Sequence, residues 1–253
     1  MRLLEPMWIA ISTYSVLPAP RFDWNERNMR FSICFLPLVG LIVGVALCLW
    51  AQAARALTVD GILFAAVATA LPILLTGGIH MDGFMDTVDA LSSHQPREKK
   101  LAILKDPHTG AFAAIYCVVY LLLSFGLYHA LFQTDTLLIV CLGFVLSRAL
   151  AVLGAVTLPN ARKEGMLCAF TEYTHKRAAM IAMITVALLA MGGMVRALPV
   201  IGGFAAGFAL LAFFAYRSMA MKQFGGATGD TTGFFLQTAE LMLLFGVWIG
   251  GLL

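Results

Sequence analysis

Three aspartates at helical spacing form the most informative group of residues in this sequence. Asp82, Asp86 and Asp89 stand at positions i, i+4 and i+7, so a helix through them carries all three carboxylates on one face. Like charges at this spacing repel one another and destabilise a helix unless they share a cation. We therefore expect them to hold a hard divalent ion, Mg²⁺, that helps to bind a phosphate substrate. The alternative is a solvated acidic helix face, which the apolar residues on the rest of this helix argue against.

A glycine pair and a histidine precede the carboxylates. Gly77 and Gly78 let the backbone leave the preceding apolar stretch. His80 comes before the acidic face, where it could meet a phosphate or orient a ligand, although a lone histidine is more often structural. We count His80 with the three aspartates as a candidate catalytic residue and leave both readings open.

Two loops supply candidate phosphate contacts. Lys105 and Asp106 lie just before an apolar stretch that begins after Gly110. Arg162 follows Pro159 at the end of another, and its guanidinium can bind a phosphate in bidentate fashion, which a lysine cannot. Ordinary anchoring of a membrane helix by basic residues is the alternative for Arg162. We expect Lys105, Asp106 and Arg162 to contact substrate.

A third loop, residues 225–233, is rich in glycine and hydroxyl side chains. Such a loop allows backbone N–H groups to approach a phosphate or a nucleotide. Thr228 and Asp230 are its candidate substrate-binding residues, and a simple turn is the alternative.

Two charged residues interrupt apolar stretches. Arg148 and Glu240 would lie within a bilayer, where a charged side chain is costly and is usually paired or functional. We hypothesise that Arg148 reaches the carboxylates or a substrate phosphate.

The elements that must position these residues are membrane-spanning helices. Apolar residues make up 60% of the 253 residues and charged residues only 12%, against about 25% charged in a typical soluble domain. Seven stretches approach the roughly 20 apolar residues that a spanning helix needs. They are 36–57, 62–78, 111–132, 137–157, 178–195, 199–215 and 234–253. The prediction is a single all-α domain, residues 1–253, built as a multi-pass helical bundle, with residues 1–17 as a helix lying on the membrane surface or a short eighth span.

The positions of the basic residues orient this bundle. With the N-terminus in the cytoplasm, all Lys and Arg residues except Arg55, Arg148 and Arg196 fall on the cytoplasmic side, as expected for a membrane protein. The polar loops described above then face the cytoplasm. The net charge of +3 is too small to argue for a nucleic-acid partner, and the five scattered cysteines are expected to be packing residues.

Several of these motifs together resemble the cobalamin synthase family, also called adenosylcobinamide-GDP ribazoletransferases. The segment GGIHMDGFMDTVDAL, which begins at Gly77, carries most of the resemblance. It is joined by ILKDPHTGAF at 103–112, SRALA at 147–151, PNARKEGM at 159–166 and GGATGDTTG at 225–233. The resemblance covers the whole chain in order and is weakest after Gly233, where little beyond Glu240 matches.

The resemblance implies a late step in cobalamin assembly in the bacterial inner membrane. Adenosylcobinamide-GDP would be joined to α-ribazole, or to its 5′-phosphate, with Mg²⁺ as cofactor and release of GMP. Asp82, Asp86 and Asp89 would hold the ion. One carboxylate, for which we choose Asp89, or else His80 would accept the proton of the attacking hydroxyl. The lipid bilayer is the other expected partner, and self-association into a homo-oligomer stays open.

Two other functions compete with this interpretation. A CDP-alcohol phosphotransferase shares the Asp-Gly pair and spaced carboxylates, but Asp86 follows Gly83 too closely and the rest of that pattern is missing. A transporter would place its polar groups near the bilayer midplane, whereas only Arg148 and Glu240 are candidates for that depth.

Overall fold

The protein is a bundle of α-helices. The computed structural model describes residues 4–20, 22–23 and 25–253, and these residues form helices and no strand. The helices are α1 (Leu4–Tyr14), α2 (Glu26–Met29), α3 (Leu36–Ala56), α4 (Gly61–Leu75), α5 (Ile79–Ser92), α6 (Arg97–Ile103), α7 (Ala111–Leu131), α8 (Leu137–Thr157), α9 (Met166–Tyr173), α10 (Lys176–Ala197), α11 (Pro199–Met219) and α12 (Gly229–Gly250). A 3₁₀ turn at Ser32–Phe35 leads into α3, and a π-helical segment at Ala220–Phe224 follows α11.

The predicted all-α, multi-pass architecture is confirmed. Among the described residues, six helices are long and apolar enough to cross a bilayer: α3, α7, α8, α10, α11 and α12. Helices α4 and α5 form a seventh candidate span that bends by 91° at its middle. The second predicted stretch, 62–78, is therefore half of a broken span, and the aspartates lie on its other half.

Helix α1 is too short to cross the membrane. Its 11 residues extend about 16 Å at 1.5 Å per residue, against a hydrocarbon core of about 30 Å. Ile9 and Tyr14 are buried, where α1 packs against α3 and the 3₁₀ turn. The predicted helix 1–17 is thus observed at Leu4–Tyr14, while residues 1–3, with Arg2, and also Arg21, lie outside the described part of the chain.

Helix α8 is the centre of the bundle and packs against α3, α10 and α12. Its contact with α3 depends on Gly40 and Gly44, because a Cβ at either position would lie within 2.5 Å of an atom of α8. The spacing Gly-x-x-x-Gly lets two membrane helices approach closely without side chains between them. Gly246 and Gly250 repeat this spacing where α12 meets α11.

The break between α4 and α5 determines where the aspartates lie. Pro72 weakens the end of α4, and Gly77 and Gly78 both have positive φ angles, 63° and 77°, which glycine adopts without strain. Helix α5 then crosses the first turns of α12. A Cβ at Gly83 would lie 2.9 Å from the Asp230 backbone, and one at Gly233 would lie 2.9 Å from the His80 carbonyl oxygen. This crossing of α5 and α12 places the aspartates beside the glycine-rich loop.

Candidate functional site

An acidic centre, which we define as Asp82, Asp86 and Asp230, forms at the crossing of α5 and α12. Asp82 and Asp86 lie one turn apart on α5, and Asp230 lies in the first turn of α12. Asp86 is within electrostatic range of both other carboxylates, and Asp82 is within range of Asp230. Asp230, expected from the sequence to contact substrate, therefore joins the two carboxylates expected to hold metal.

Arg162 is the cation of this centre. One guanidinium nitrogen lies 3.2 Å from a carboxylate oxygen of Asp230, and the other terminal nitrogen donates to the Leu101 carbonyl oxygen of α6 at 3.2 Å. Its Nε is buried without a hydrogen-bond partner in the part of the chain that the structure describes. Among those residues, one positive charge thus faces three carboxylates, and this imbalance leaves the site able to attract a further cation.

Backbone pairing holds the Arg162 loop against the glycine-rich loop. The Ala227 N–H donates to the Pro159 carbonyl oxygen at 2.8 Å, and the Ala161 N–H donates to the Ala227 carbonyl oxygen at 2.9 Å. The Asn160 amide also donates to the Thr171 hydroxyl of α9 at 3.0 Å. Arg162 and Asp230 therefore belong to one connected structure, although 68 positions separate them in sequence (230 − 162).

Thr228 starts helix α12. Its hydroxyl accepts a hydrogen bond from the Thr231 N–H at 3.1 Å, and the Thr231 hydroxyl accepts one from the Thr228 N–H at 2.9 Å. This reciprocal capping box satisfies two backbone donors that a helix leaves free. The predicted substrate contact of Thr228 stays a prediction, since its hydroxyl is committed to the helix and the residue is buried.

Asp89 faces helix α7. Its two carboxylate oxygens accept hydrogen bonds from the Gly110 N–H at 2.6 Å and from the Ala113 N–H at 2.8 Å. A carboxylate at a helix N-terminus is stabilised both by these donors and by the helix dipole. Asp89 therefore serves as the cap of α7, supplied by another helix, and its predicted roles as metal ligand and proton acceptor lose support from this geometry.

Lys105 and Asp106 lie in the exposed turn before α7. Lys105 lines an open groove of about 400 Å³ that also contains Arg162, Lys163, Glu98 and Glu164. Asp106 accepts from the His108 N–H at 3.0 Å. This bond, followed by the contact with the His108 ring, lowers the pKa of Asp106. Lys105 thus remains close to the acidic centre, whereas Asp106 stabilises its own turn.

His80 lines a central cavity of about 220 Å³ that opens onto the acidic centre. The residue is 4% exposed, and its Nε2 is buried without a hydrogen-bond partner among the described residues. The Tyr14 ring stacks on the imidazole with a centroid separation of 6.1 Å. Asp82 and Asp230 line the same cavity, so His80 lies beside the acidic centre, and its predicted catalytic role stays a prediction.

Arg148 does not lie in the acidic centre. Its guanidinium forms a buried ion pair with Glu240 of α12, donates to the Ser147 hydroxyl at 3.1 Å, and lies over the Phe144 ring at 5.2 Å. This pairing contradicts the hypothesis that Arg148 reaches the carboxylates of the site, whereas its predicted contact with a substrate phosphate stays a prediction. Pairing with Glu240 is the less costly arrangement, because both charges are buried among membrane helices.

The acidic centre fits a hard divalent cation by its chemistry. Its donors are all carboxylate oxygens, the type that Mg²⁺ prefers. In residues 4–20, 22–23 and 25–253, no group of three or more His, Cys, Asp or Glu side chains is arranged to hold a metal ion alone. Mg²⁺ commonly binds through one or two carboxylates and takes its other ligands from water and substrate phosphates, and this centre suits that mode better than a site formed by protein ligands alone.

Comparison with known proteins decides the family. The model of the cobalamin-5-phosphate synthase family matches residues 6–248. The chain belongs to this family. Similar proteins include adenosylcobinamide-GDP ribazoletransferases from Lachnoclostridium phytofermentans, 43% identical over 96% of this chain and 92% of the relative, from Desulfitobacterium hafniense, 34% identical over 98% of each, and from Acinetobacter baumannii, 33% identical over 96% of each. No solved structure matches the chain.

The resemblance seen in the sequence is thus confirmed, and the structure adds residues to the site that sequence reasoning missed. The central cavity has an apolar wall that includes Ala151 and Ala155 of α8, Leu36 of α3 and Leu167 of α9. Ala151 and Ala155 are small residues four positions apart in α8, and this spacing could have predicted a helix face without bulky side chains. No signal in the sequence connects Leu36 or Leu167 with that face.

Proposed function

We propose that this chain joins adenosylcobinamide-GDP to α-ribazole, or to its 5′-phosphate, and releases GMP. The observation that carries the proposal is the acidic centre beside Arg162 in a chain of the cobalamin-5-phosphate synthase family. Its residues come from the specific segment that begins at Gly77 and from the less specific motifs at 159–166 and 225–233. The named relatives carry that ribazoletransferase activity in their names.

The reaction is a displacement at phosphorus. A hydroxyl oxygen of the ribazole attacks the phosphorus attached to cobinamide, and the bond from that phosphorus to the bridging oxygen of the pyrophosphate breaks. GMP leaves with the bridging oxygen, and the hydroxyl proton passes to a base. Such transfers depend mainly on positioning and on neutralising the charge of the phosphates.

The residues of the site divide these tasks. One or two of the carboxylates of Asp82, Asp86 and Asp230 would hold Mg²⁺, which when bound supplies charge neutralisation at the pyrophosphate. Arg162 is placed to exchange its contact with Asp230 for a phosphate oxygen, and its Nε, which has no partner among the described residues, offers a further donor. Asp82 and Asp86 are the candidate bases, since Asp89 of the same helix is occupied by two backbone N–H groups.

The groove beside Arg162 suits anionic substrates. Lys105, Arg162 and Lys163 line it together with Glu98 and Glu164, so its basic side chains outnumber its acidic ones by three to two. The groove is continuous with the acidic centre through Arg162, which gives a pyrophosphate or a 5′-phosphate a route between water and the site.

We place the protein in the bacterial inner membrane with this groove on the cytoplasmic side. The loops that form the site contain Arg97, Lys99, Lys100, Lys105, Arg162 and Lys163, and basic loops favour the cytoplasm. Nucleotide-linked substrates and GMP are available in that compartment. A homo-oligomer stays a prediction.

The test is turnover by the purified protein in lipid nanodiscs. We expect GMP and the joined corrinoid to form in equal amounts from adenosylcobinamide-GDP and α-ribazole, with a requirement for Mg²⁺. The Asp82→Asn and Asp86→Asn variants should be inactive, and Asp135→Asn, at an exposed position outside the site, serves as the matched control. Absence of GMP release, or the use of a CDP-linked alcohol instead, would refute the proposal.

A further inference from the structure

The central cavity, which opens onto the acidic centre, is suited to bind an apolar heterocycle. Most of its wall is formed by aliphatic side chains, among them Ile33, Leu36, Ala151, Ala155 and Leu236. Asp82 and Asp230 lie where it meets the acidic centre. At about 220 Å³ it has room for a bicyclic base and none for a corrin ring.

His80, which lines this cavity, has a buried polar atom without a partner in the described part of the chain. This atom is Nε2, and the residue is only 4% exposed. A buried polar group without a partner costs free energy, and native structures keep few of them. A neutral imidazole nitrogen can donate one hydrogen bond or accept one, so a ligand with a single complementary nitrogen would satisfy it.

From these observations, and resting on the proposed function, we infer that the cavity binds the benzimidazole base of α-ribazole, with His80 Nε2 hydrogen-bonded to its free ring nitrogen. The base is apolar, carries two methyl groups and exposes one nitrogen lone pair. Guanine would bring several donors and acceptors to an aliphatic wall, where most would stay unpaired at a cost. Guanine is therefore assigned to the polar groove lined by Lys105 and Arg162.

This placement also explains the orientation of the two substrates. With its base in the cavity, the ribose lies toward Asp82 and Asp230, where the attacking hydroxyl is needed. The pyrophosphate arrives from the groove lined by Lys105 and Arg162. The two substrates would then meet at the acidic centre, where the displacement at phosphorus takes place.

The first experiment measures binding of α-ribazole alone to the full chain in nanodiscs, without donor or metal. We expect saturable binding that GMP does not displace. Ala155→Leu, which fills the cavity, should weaken binding by at least about tenfold, the scale of a single misfit in an apolar pocket. Ala182→Leu, at an exposed position of α10, is the matched control and should bind normally.

A second experiment uses the base itself as the variable. Ala155→Leu should reduce kcat/KM more for the dimethylated nucleoside than for the unmethylated benzimidazole nucleoside. Turnover of the unmethylated nucleoside by this variant would prove that the variant is folded. The wild type should prefer a benzimidazole over an indole nucleoside, which lacks the free nitrogen, by about tenfold for one hydrogen bond. His80→Phe should abolish that preference.

The outcomes separate this inference from the proposed function. Normal turnover with displacement of α-ribazole by GMP, or an Ala155→Leu variant with unchanged base preference, would overturn the cavity assignment and leave the ribazoletransferase activity standing. Failure of the wild type to turn over any ribazole would refute both.

Discussion

Two groups of charged side chains in the described part of the chain are built in opposite ways. In the acidic centre, three carboxylates face one guanidinium. In the middle of the bundle, Arg148 and Glu240 neutralise each other one to one. An uncompensated group costs stability and is retained for binding, whereas a compensated pair joins two helices. Charge balance, which sequence position alone does not reveal, distinguishes the functional group from the structural one.

The largest expected effect is on turnover at the acidic centre. Asp82→Asn and Asp86→Asn remove a charge from the proposed ion site, and several kcal/mol of transition-state stabilisation correspond to about a thousandfold in rate. Initial rates of GMP release measure this loss. Thermal unfolding should be unchanged or shifted upward, because repulsion is relieved. Full activity in both variants would mean that the excess of negative charge in the acidic centre does not contribute to catalysis.

The opposite pattern is expected for the buried pair. Arg148→Met or Glu240→Leu alone leaves one charge unpaired and should cost about 3–5 kcal/mol of unfolding free energy. The double variant should recover most of that loss. Unfolding in detergent micelles, evaluated as a double-mutant cycle, measures the coupling. Additive losses of unfolding free energy would show that the two residues stabilise the bundle independently. A loss of substrate affinity without a loss of stability in Arg148→Met would show that Arg148 acts in the active site.

Arg162 should give an intermediate effect, since it belongs to the acidic centre but can be partly replaced by neighbouring cations. We expect Arg162→Gln to raise the KM for adenosylcobinamide-GDP by about 10- to 100-fold, the range for loss of a charge-assisted contact. Steady-state kinetics at saturating α-ribazole measure this change. Lys99→Gln, an exposed substitution that does not line the groove, is the control. If both substitutions raised the KM equally, Arg162 would contribute only to the general surface charge and would not contact the substrate.

Asp89 should give the smallest effect and the sharpest distinction between capping and metal binding. Asp89→Ala removes the cap of α7 and should cost about 1 kcal/mol, whereas Asp89→Asn keeps an acceptor and should cost less. The Mg²⁺ concentration that gives half-maximal rate should be the same in both variants and the wild type. A large increase in that concentration for Asp89→Asn would restore Asp89 as a metal ligand.

The sequence predicts the parts of this molecule that depend on local pattern. The stretches 111–132 and 137–157 match α7 and α8 within one residue, because apolar length is a local property. Helix α12 begins at Gly229, five residues before the predicted 234, since the capping box of Thr228 extends a helix through polar residues. Hydropathy does not register such a cap.

The errors concern partners that are distant in sequence. Arg148 and Glu240 are 92 positions apart, and Asp89 is 21 positions from Gly110. Helical periodicity places Asp89 on the same face as Asp82 and Asp86, but it cannot show that another helix presents free N–H groups to it. The 91° bend was equally hidden, although the glycine pair that permits it was recognised. Tertiary contacts, not local preference, decide which carboxylate of a row joins the site.

The crossing of α5 and α12 determines when the site can form during synthesis and membrane insertion. The site needs residues from the fifth helix and from the last one, and Gly83 and Gly233 let the two backbones touch. A chain emerging from the ribosome therefore has no complete site until α12 has entered the bilayer. Truncation before α12 should leave an inactive protein, and activity from two separate pieces would require both to meet in one membrane.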